Sequence, residues 1–373
     1  MFCEGLKTGG RINLRDTMGA QAPAAGLAEV LDARTAEGVL YERLPDGKLR
    51  CVACGHRCVI FPGHRGICQV RFNDDGRLRV PWGYVAALQC DPTEKKPFFH
   101  VLPGSRTLTF GMLGCDYRCA GCRNWVTSQA LRDPVAGIMP EDVTPEQLVE
   151  IGLRRGAQLV GSSYNEPLIT AEWAVDVFKK AREAGLRTCF ISNGNATREV
   201  LTFLRPWCDC YKIDLKAMNQ KNYRYIGGVL DRVLDAIRIV YEMGFWLEIV
   251  TLVIPGWNDS DEELRSAAGF IASVSRDIPW HVTAFHPDYK MTDPEHTPVA
   301  TLLRAARIGE AAGLRYVYAG NLPGQVRHHE HTFCPQCRAL LVERVGYHII
   351  QNRLASTGGA CPDCAYPIPG IWA

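Results

Sequence analysis

Two rhythms alternate between residues 105 and 320. Short apolar runs occur at TLTFGML (107–113), AQLVGSSY (157–164), LRTCFIS (186–192), CYKIDL (210–215), LEIVTLVIP (247–255) and WHVTAF (280–285). They are rich in β-branched and aromatic residues and are bounded by turn signals, as buried parallel strands are. Between them, apolar residues recur at helical spacing. TPEQLVEIGLRRG (144–156) opens on a Thr cap with an acid-rich first turn and ends on Gly; TAEWAVDVFKKAREAG (170–185) also ends on Gly. Further helices are expected near 229–243, 260–275 and 299–312. Six strand–helix units in series predict an α/β fold, a parallel barrel or partial barrel. Reactive groups in such folds sit on the loops after the C-terminal ends of the strands.

The flanks follow neither rhythm. Residues 1–40 read as a loose extension, 41–104 as a Cys-rich module, 105–325 as the barrel, and 326–373 as a segment with a CPxC…CPxC frame. Formal net charge is +2, with 22% charged and 47% hydrophobic residues, so charge gives no reason to expect nucleic acid or a membrane surface as the main partner. No stretch approaches the roughly 18 uninterrupted apolar residues of a spanning helix. The first 26 residues lack the apolar core of a secretory leader, and a cytoplasmic location is expected. Sixteen cysteines, mostly clustered, then favour metal binding over disulfides.

The central group is GCDYRCAGCRNW (114–125), in which Cys115, Cys119 and Cys122 are spaced C-x3-C-x2-C directly after the first strand. Structural zinc takes four protein ligands, so a zinc site here would need a distant fourth residue. A 4Fe-4S cluster on three thiolates leaves one iron open. S-adenosylmethionine can chelate that iron through its amino and carboxylate groups. One electron from the cluster then breaks its C–S bond to release methionine and a 5′-deoxyadenosyl radical. The aromatic Tyr117, between the first two cysteines, suits this motif.

This loop resembles that of radical S-adenosylmethionine enzymes of the pyruvate formate-lyase activating-enzyme-like group. DPTEKKPFFHVLPGS (91–105) precedes it. SSYNEP (162–167), YKIDLKAM (211–218), LVIPGWNDS (252–260), PWHVTAFHPDYKM (279–291), YVYAGNLPG (316–324) and a final CPQC follow in order. The ordered set is similar to the radical enzyme of the AmmeMemoRadiSam system over roughly residues 40–345. The resemblance implies a partial (β/α)6 barrel, an electron donor of flavodoxin or ferredoxin type, and an AmmeMemo-type partner protein. It also implies cofactor contacts. Glu166 resembles the acidic member of the Gly-Gly-Glu segment that receives the amino group. Ser192 and Asn193 end the third strand within reach of ribose or carboxylate. Asp214 and Lys216 resemble the activating-enzyme DLK motif, and His286 resembles a residue near the adenine. Each could instead be a satisfied polar cap. The sequence departs from the family at Gly121, where an aromatic is frequent.

Cys334, Cys337, Cys361 and Cys364 form two knuckles of zinc-ribbon type, with rubredoxin-like iron or an auxiliary cluster as alternatives. His328, His329 and His331 read as a polar connector. Cys51, Cys54, Cys58 and Cys68 could hold zinc or an auxiliary 4Fe-4S cluster; zinc is favoured because no ferredoxin spacing appears. The expected function is a radical enzyme acting on a small molecule or peptide, since both flanking modules add walls to a pocket. The alternatives are an activase of a glycyl-radical enzyme and a non-catalytic metal-binding adaptor.

Overall fold

One eight-stranded sheet organises the protein, a computed structural model that describes residues 26–372. Its strands are β1 (Ala87–Pro92), β2 (Arg106–Gly111), β3 (Ala157–Ser162), β4 (Arg187–Ser192), β5 (Cys210–Asp214), β6 (Trp246–Val253), β7 (Trp280–Ala284) and β8 (Val317–Gly320). Their order in the sheet is their order in the chain. Strands β2 to β8 are parallel, and β1 runs antiparallel on β2. The helices between its parallel strands include α1 (Pro145–Arg154), α2 (Ala171–Glu183), α3 (Arg198–Leu204), α4 (Gln220–Ile226), α5 (Leu230–Glu242), α6 (Asp261–Val274) and α7 (Val299–Ala311). Sequential parallel strands joined by right-handed crossovers place their helices on one face. The α/β architecture is therefore a barrel left open along one seam.

All six expected strands are present, and the five expected helices lie within two residues of their expected ends. The expectation of a loose extension over 1–40 needs correction. Residues 1–25 lie outside the described residues, but Leu27–Asp32 is a helix and Thr35–Glu37 pairs with Arg79–Pro81. Residues 26–40 thus belong to the N-terminal module. That module is clamped to α2 by a buried pair, Arg71 and Glu172, with Nη1–Oε2 and Nη2–Oε1 both at 2.8 Å.

The inner face of the sheet is filled from the 93–105 segment. Phe190 of β4 packs edge-on against Phe178 of α2, so its neighbour Cys189 points to the opposite face. There Phe98, fully buried, meets Leu159, Cys189 and Cys210. Glu248 of β6 anchors this plug. Its carboxylate accepts the Phe99 and His100 N–H groups and lies 2.6 Å from His281 Nε2. Burial works to raise Glu248, but His281 and the donors outweigh it and hold the carboxyl below its usual range.

The seam edge at β8 is covered by the C-terminal segment, whose strands are β9 (Thr332–Phe333), β10 (Leu340–Val345) and β11 (His348–Asn352). Phe99, Tyr316 and Tyr318 share a core with Cys334, Leu341, Val342, Leu354, Cys361 and Trp372. Arg344, fully buried, donates to the Phe99 carbonyl at 2.7 Å and stacks on its ring.

Candidate active site

Cys115, Cys119 and Cys122 occupy the loop after the C-terminal end of β2, and all three are half-buried. The loop is held on several sides. Gly114 enters it at φ +94, and a Cβ there would stand 2.8 Å from Val70 and 3.2 Å from the Cys68 carbonyl. Only glycine satisfies both constraints. Arg118 N–H donates to the Ile226 carbonyl, and Arg132 Nη1 to the Tyr117 carbonyl. Tyr117 is buried, edge-on to His56 and Tyr223, with Gly228 making room for its ring. Gly121 opens onto Phe285 and Met291, which stand 3.2 and 3.1 Å from where its Cβ would be. Those two side chains occupy the space that an aromatic before Cys122 would claim.

The segment after β4 is tied to the loop through one carboxylate that sequence reasoning missed. Asp116 accepts Asn193 Nδ2 at 2.7 Å and Asn195 Nδ2 at 2.8 Å, and His56 Nε2 lies 3.2 Å from its carbonyl. Asp116 lies inside the cysteine motif, and Asn195 follows Asn193 by two residues; both were visible as polar residues without an assigned partner. Glu166, buried after β3, accepts Leu168 N at 3.1 Å, Ser192 Oγ at 2.7 Å and Asn193 N at 2.7 Å. A carboxylate offers about four lone-pair sites, so one remains. Burial and Asp116 push Glu166 up to about 8, against these three hydrogen bonds. Ser192 and Asn193 are thus joined to Glu166 and Asp116 in one network.

Asp214 ends β5 between two lysines. Lys216 Nζ is 3.2 Å from its Oδ2, and Lys212 pairs with Oδ1. Burial acts to raise Asp214, but Lys212 and Lys216 outweigh it and hold it at about 2. Lys212 was also missed, although it stands two residues before Asp214 and so shares its face. The Lys216 ammonium lies in the field of Cys119 and Cys122, and it pulls down a Cys119 thiol that burial raises to about 12. His286 does not join this group. It is exposed, 4.2 Å from the His296 ring, and its neighbour Phe285 is what reaches the loop.

The donor chemistry fits an iron–sulfur cluster. Among the described residues, the Cys, His, Asp and Glu groups gathered within 4.8 Å are Cys334–Cys337–Cys361–Cys364 and Glu310–His328–His329. The three loop sulfurs do not all lie within that distance of one another. Around one zinc, sulfurs at about 2.3 Å from the metal lie roughly 3.8 Å apart. In a cubane each thiolate binds a different iron and the sulfurs stand farther apart. The C-terminal set has the tight spacing, with Cys334–Cys364 at 3.5 Å and Cys337–Cys361 at 3.6 Å.

A family model described as the Radical SAM superfamily matches residues 110–268. An uncharacterized protein of Methanocaldococcus jannaschii is 37% identical over 310 residues, which span 83% of this chain and 91% of that one. The pyruvate formate-lyase 1-activating enzyme of Escherichia coli is 26% identical over 233 residues, 58% of this chain and 93% of that enzyme. A solved radical SAM methyltransferase from Sphaerobacter thermophilus aligns with 66% of this chain and 75% of its own, at 16% identity and a TM-score of 0.47.

Proposed function

This chain carries a radical SAM domain over residues 110–268, and from that premise we propose that Cys115, Cys119 and Cys122 hold a 4Fe-4S cluster that binds S-adenosylmethionine. Cluster and cofactor together supply a one-electron cleavage of the sulfonium and a radical able to abstract hydrogen. The observation that carries this reading is the set of three half-buried thiols on the loop after β2, with the Lys216 ammonium in the field of two of them.

The chain's own residues do the positioning. Lys216 sets a positive charge beside thiolates that would otherwise be costly to bury. Asp214, kept ionised by two lysines, offers an acceptor toward the same space. The fourth acceptor site of Glu166 carries a proton below about pH 8 that the cofactor's cationic amino group would displace, while Ser192 and Asn193 act through Glu166 as positioning residues. Phe285 and Met291 supply apolar surface where Gly121 has no side chain.

The substrate is taken to be a small molecule or peptide, handled with an AmmeMemo-type partner and a flavodoxin- or ferredoxin-type electron donor. Two features support this. Phe98 fills the inner face of the sheet, and the C-terminal segment covers the β8 edge, so neither side is an open groove. That segment is read as holding zinc, on its sulfur spacing. Clustered thiols suit a reducing compartment such as the cytoplasm, and no helix among the described residues is long and apolar enough to cross a membrane. One observation favours the activase reading instead: the similarity to the E. coli enzyme extends over 93% of that enzyme's length.

The test incubates the reduced, reconstituted enzyme and S-adenosylmethionine with a glycyl-radical protein, and separately with an AmmeMemo-type partner plus a low-mass metabolite fraction. Faster 5′-deoxyadenosine formation in the second mixture is expected. A glycyl-radical EPR doublet in the first would replace this reading with the activase.

A further inference from the structure

The second set of cysteines, outside the catalytic loop, is built as carefully as the first. Cys51, Cys54 and Cys68 are buried and Cys58 is half-buried, all as free thiols. The backbone gathers them. Cys51 N–H donates to the Cys58 carbonyl at 2.9 Å, and Ile67 N–H donates to Cys58 Sγ at 3.4 Å. Cys51 lies within the field of each of the other three.

Yet no three of these sulfurs fall within 4.8 Å of one another, whereas all four C-terminal sulfurs do. One chain therefore carries two four-cysteine cages of different size. The tight cage suits a single tetrahedral ion, whereas the wider set is too spread for three of its sulfurs to share one ion, and four thiolates that each bind a different iron are an arrangement that keeps them apart. A second observation concerns a buried residue whose charge reaches that set. Arg71 is 1% exposed, and both of its terminal nitrogens are engaged by Glu172 and the Ile169 carbonyl. Its Nε is buried without a partner, and its charge lies in the field of Cys51 and Cys68. N–H donors to sulfur are a recurring feature of iron–sulfur sites.

We propose that Cys51, Cys54, Cys58 and Cys68 ligate an auxiliary 4Fe-4S cluster, with Arg71 Nε as its buried hydrogen-bond donor. Four thiolates complete its ligation, so no iron is left for S-adenosylmethionine. The site abuts the catalytic loop, because the Cys68 carbonyl and Val70 press on Gly114 and His56 meets Asp116. The proposal stands apart from the catalytic reading, since it rests on other ligands.

The test counts metals in the full chain after anaerobic reconstitution. Wild type should hold about eight irons in two cubanes. Cys115→Ala/Cys119→Ala/Cys122→Ala should keep about four, with a reduced EPR signal indifferent to S-adenosylmethionine. Cys54→Ala/Cys58→Ala should lose about half the iron and keep the cofactor-responsive signal. Arg71→Lys should keep the iron and shift the potential of the cofactor-insensitive signal. Wild type with about four irons and two zincs, or a folded triple variant without iron, would overturn the proposal. If the triple variant does not fold, the wild-type metal count alone decides. Iron in the triple variant reports this site whether or not wild type cleaves the cofactor.

Discussion

Lys216 Nζ lies 3.2 Å from Asp214 Oδ2, and Lys212 takes the other oxygen of the same carboxylate. At Cys119 the pull of the Lys216 ammonium exceeds the opposing effect of the Asp214 carboxylate. Lys216→Ala and Asp214→Ala should each weaken S-adenosylmethionine binding while leaving iron content unchanged. A hydrogen bond to a charged group is worth about 1.5–3 kcal/mol, or roughly ten- to a hundred-fold in affinity. The readout is the change in the reduced cluster's EPR signal on titration. Unchanged affinity in both variants would make the pair structural.

Arg71 and Glu172 are each nearly inaccessible and paired through both oxygens. Removing one partner strands a buried charge, at a cost of about 3–5 kcal/mol. Glu172→Gln should lose stability on that scale. Hydrogen exchange should quicken first in residues 35–81, because this pair joins the N-terminal module to α2. A loss under about 1 kcal/mol would place the anchorage elsewhere.

Cys361→Ser should lower zinc content and melting temperature yet leave the EPR signal of the catalytic cluster intact. Structural zinc contributes folding free energy, on the order of 10 kcal/mol in small peptides. The shared core with Tyr316 and Tyr318 makes the loss felt along β8. Disappearance of the catalytic signal together with the zinc would instead tie the ribbon to the active centre.

Burial and Asp116 hold Glu166 up to about 8, above its ordinary 4.5. The native state then keeps a proton that the unfolded chain has lost. Its stabilising contribution is whole below about pH 4.5 and falls away as pH rises through about 8. Glu166→Gln has no such titration. The unfolding free energy of wild type relative to this variant should fall by a few kcal/mol across that window and then level off. A flat difference would mean that the three donors keep Glu166 ionised throughout.

The main strands were readable in the sequence because burial on both faces makes each an uninterrupted apolar run. Strand β8 has only four residues, and β1 carries Gln89, Cys90 and Asp91, so neither gave such a run. Helices α3 and α4, at seven residues, span two turns and show little periodicity. At the site, the cysteine spacing stands in the sequence itself, and Glu166, Asp214 and Lys216 were candidates by resemblance to strand-end motifs; the structure puts them at or just after the ends of β3 and β5. Asp116 and Lys212 were not, because their roles arise from partners brought together only by the fold. The difference in size between the two four-cysteine cages also has no signature in spacing.

The central claim is tested most directly by S-adenosylmethionine cleavage at the three-cysteine loop. Wild type, reconstituted anaerobically and reduced with dithionite, should release 5′-deoxyadenosine and methionine. Cys119→Ala should release neither and should lose the catalytic cubane. Product formation by Cys119→Ala, or none from wild type with its iron fully loaded, would contradict the account.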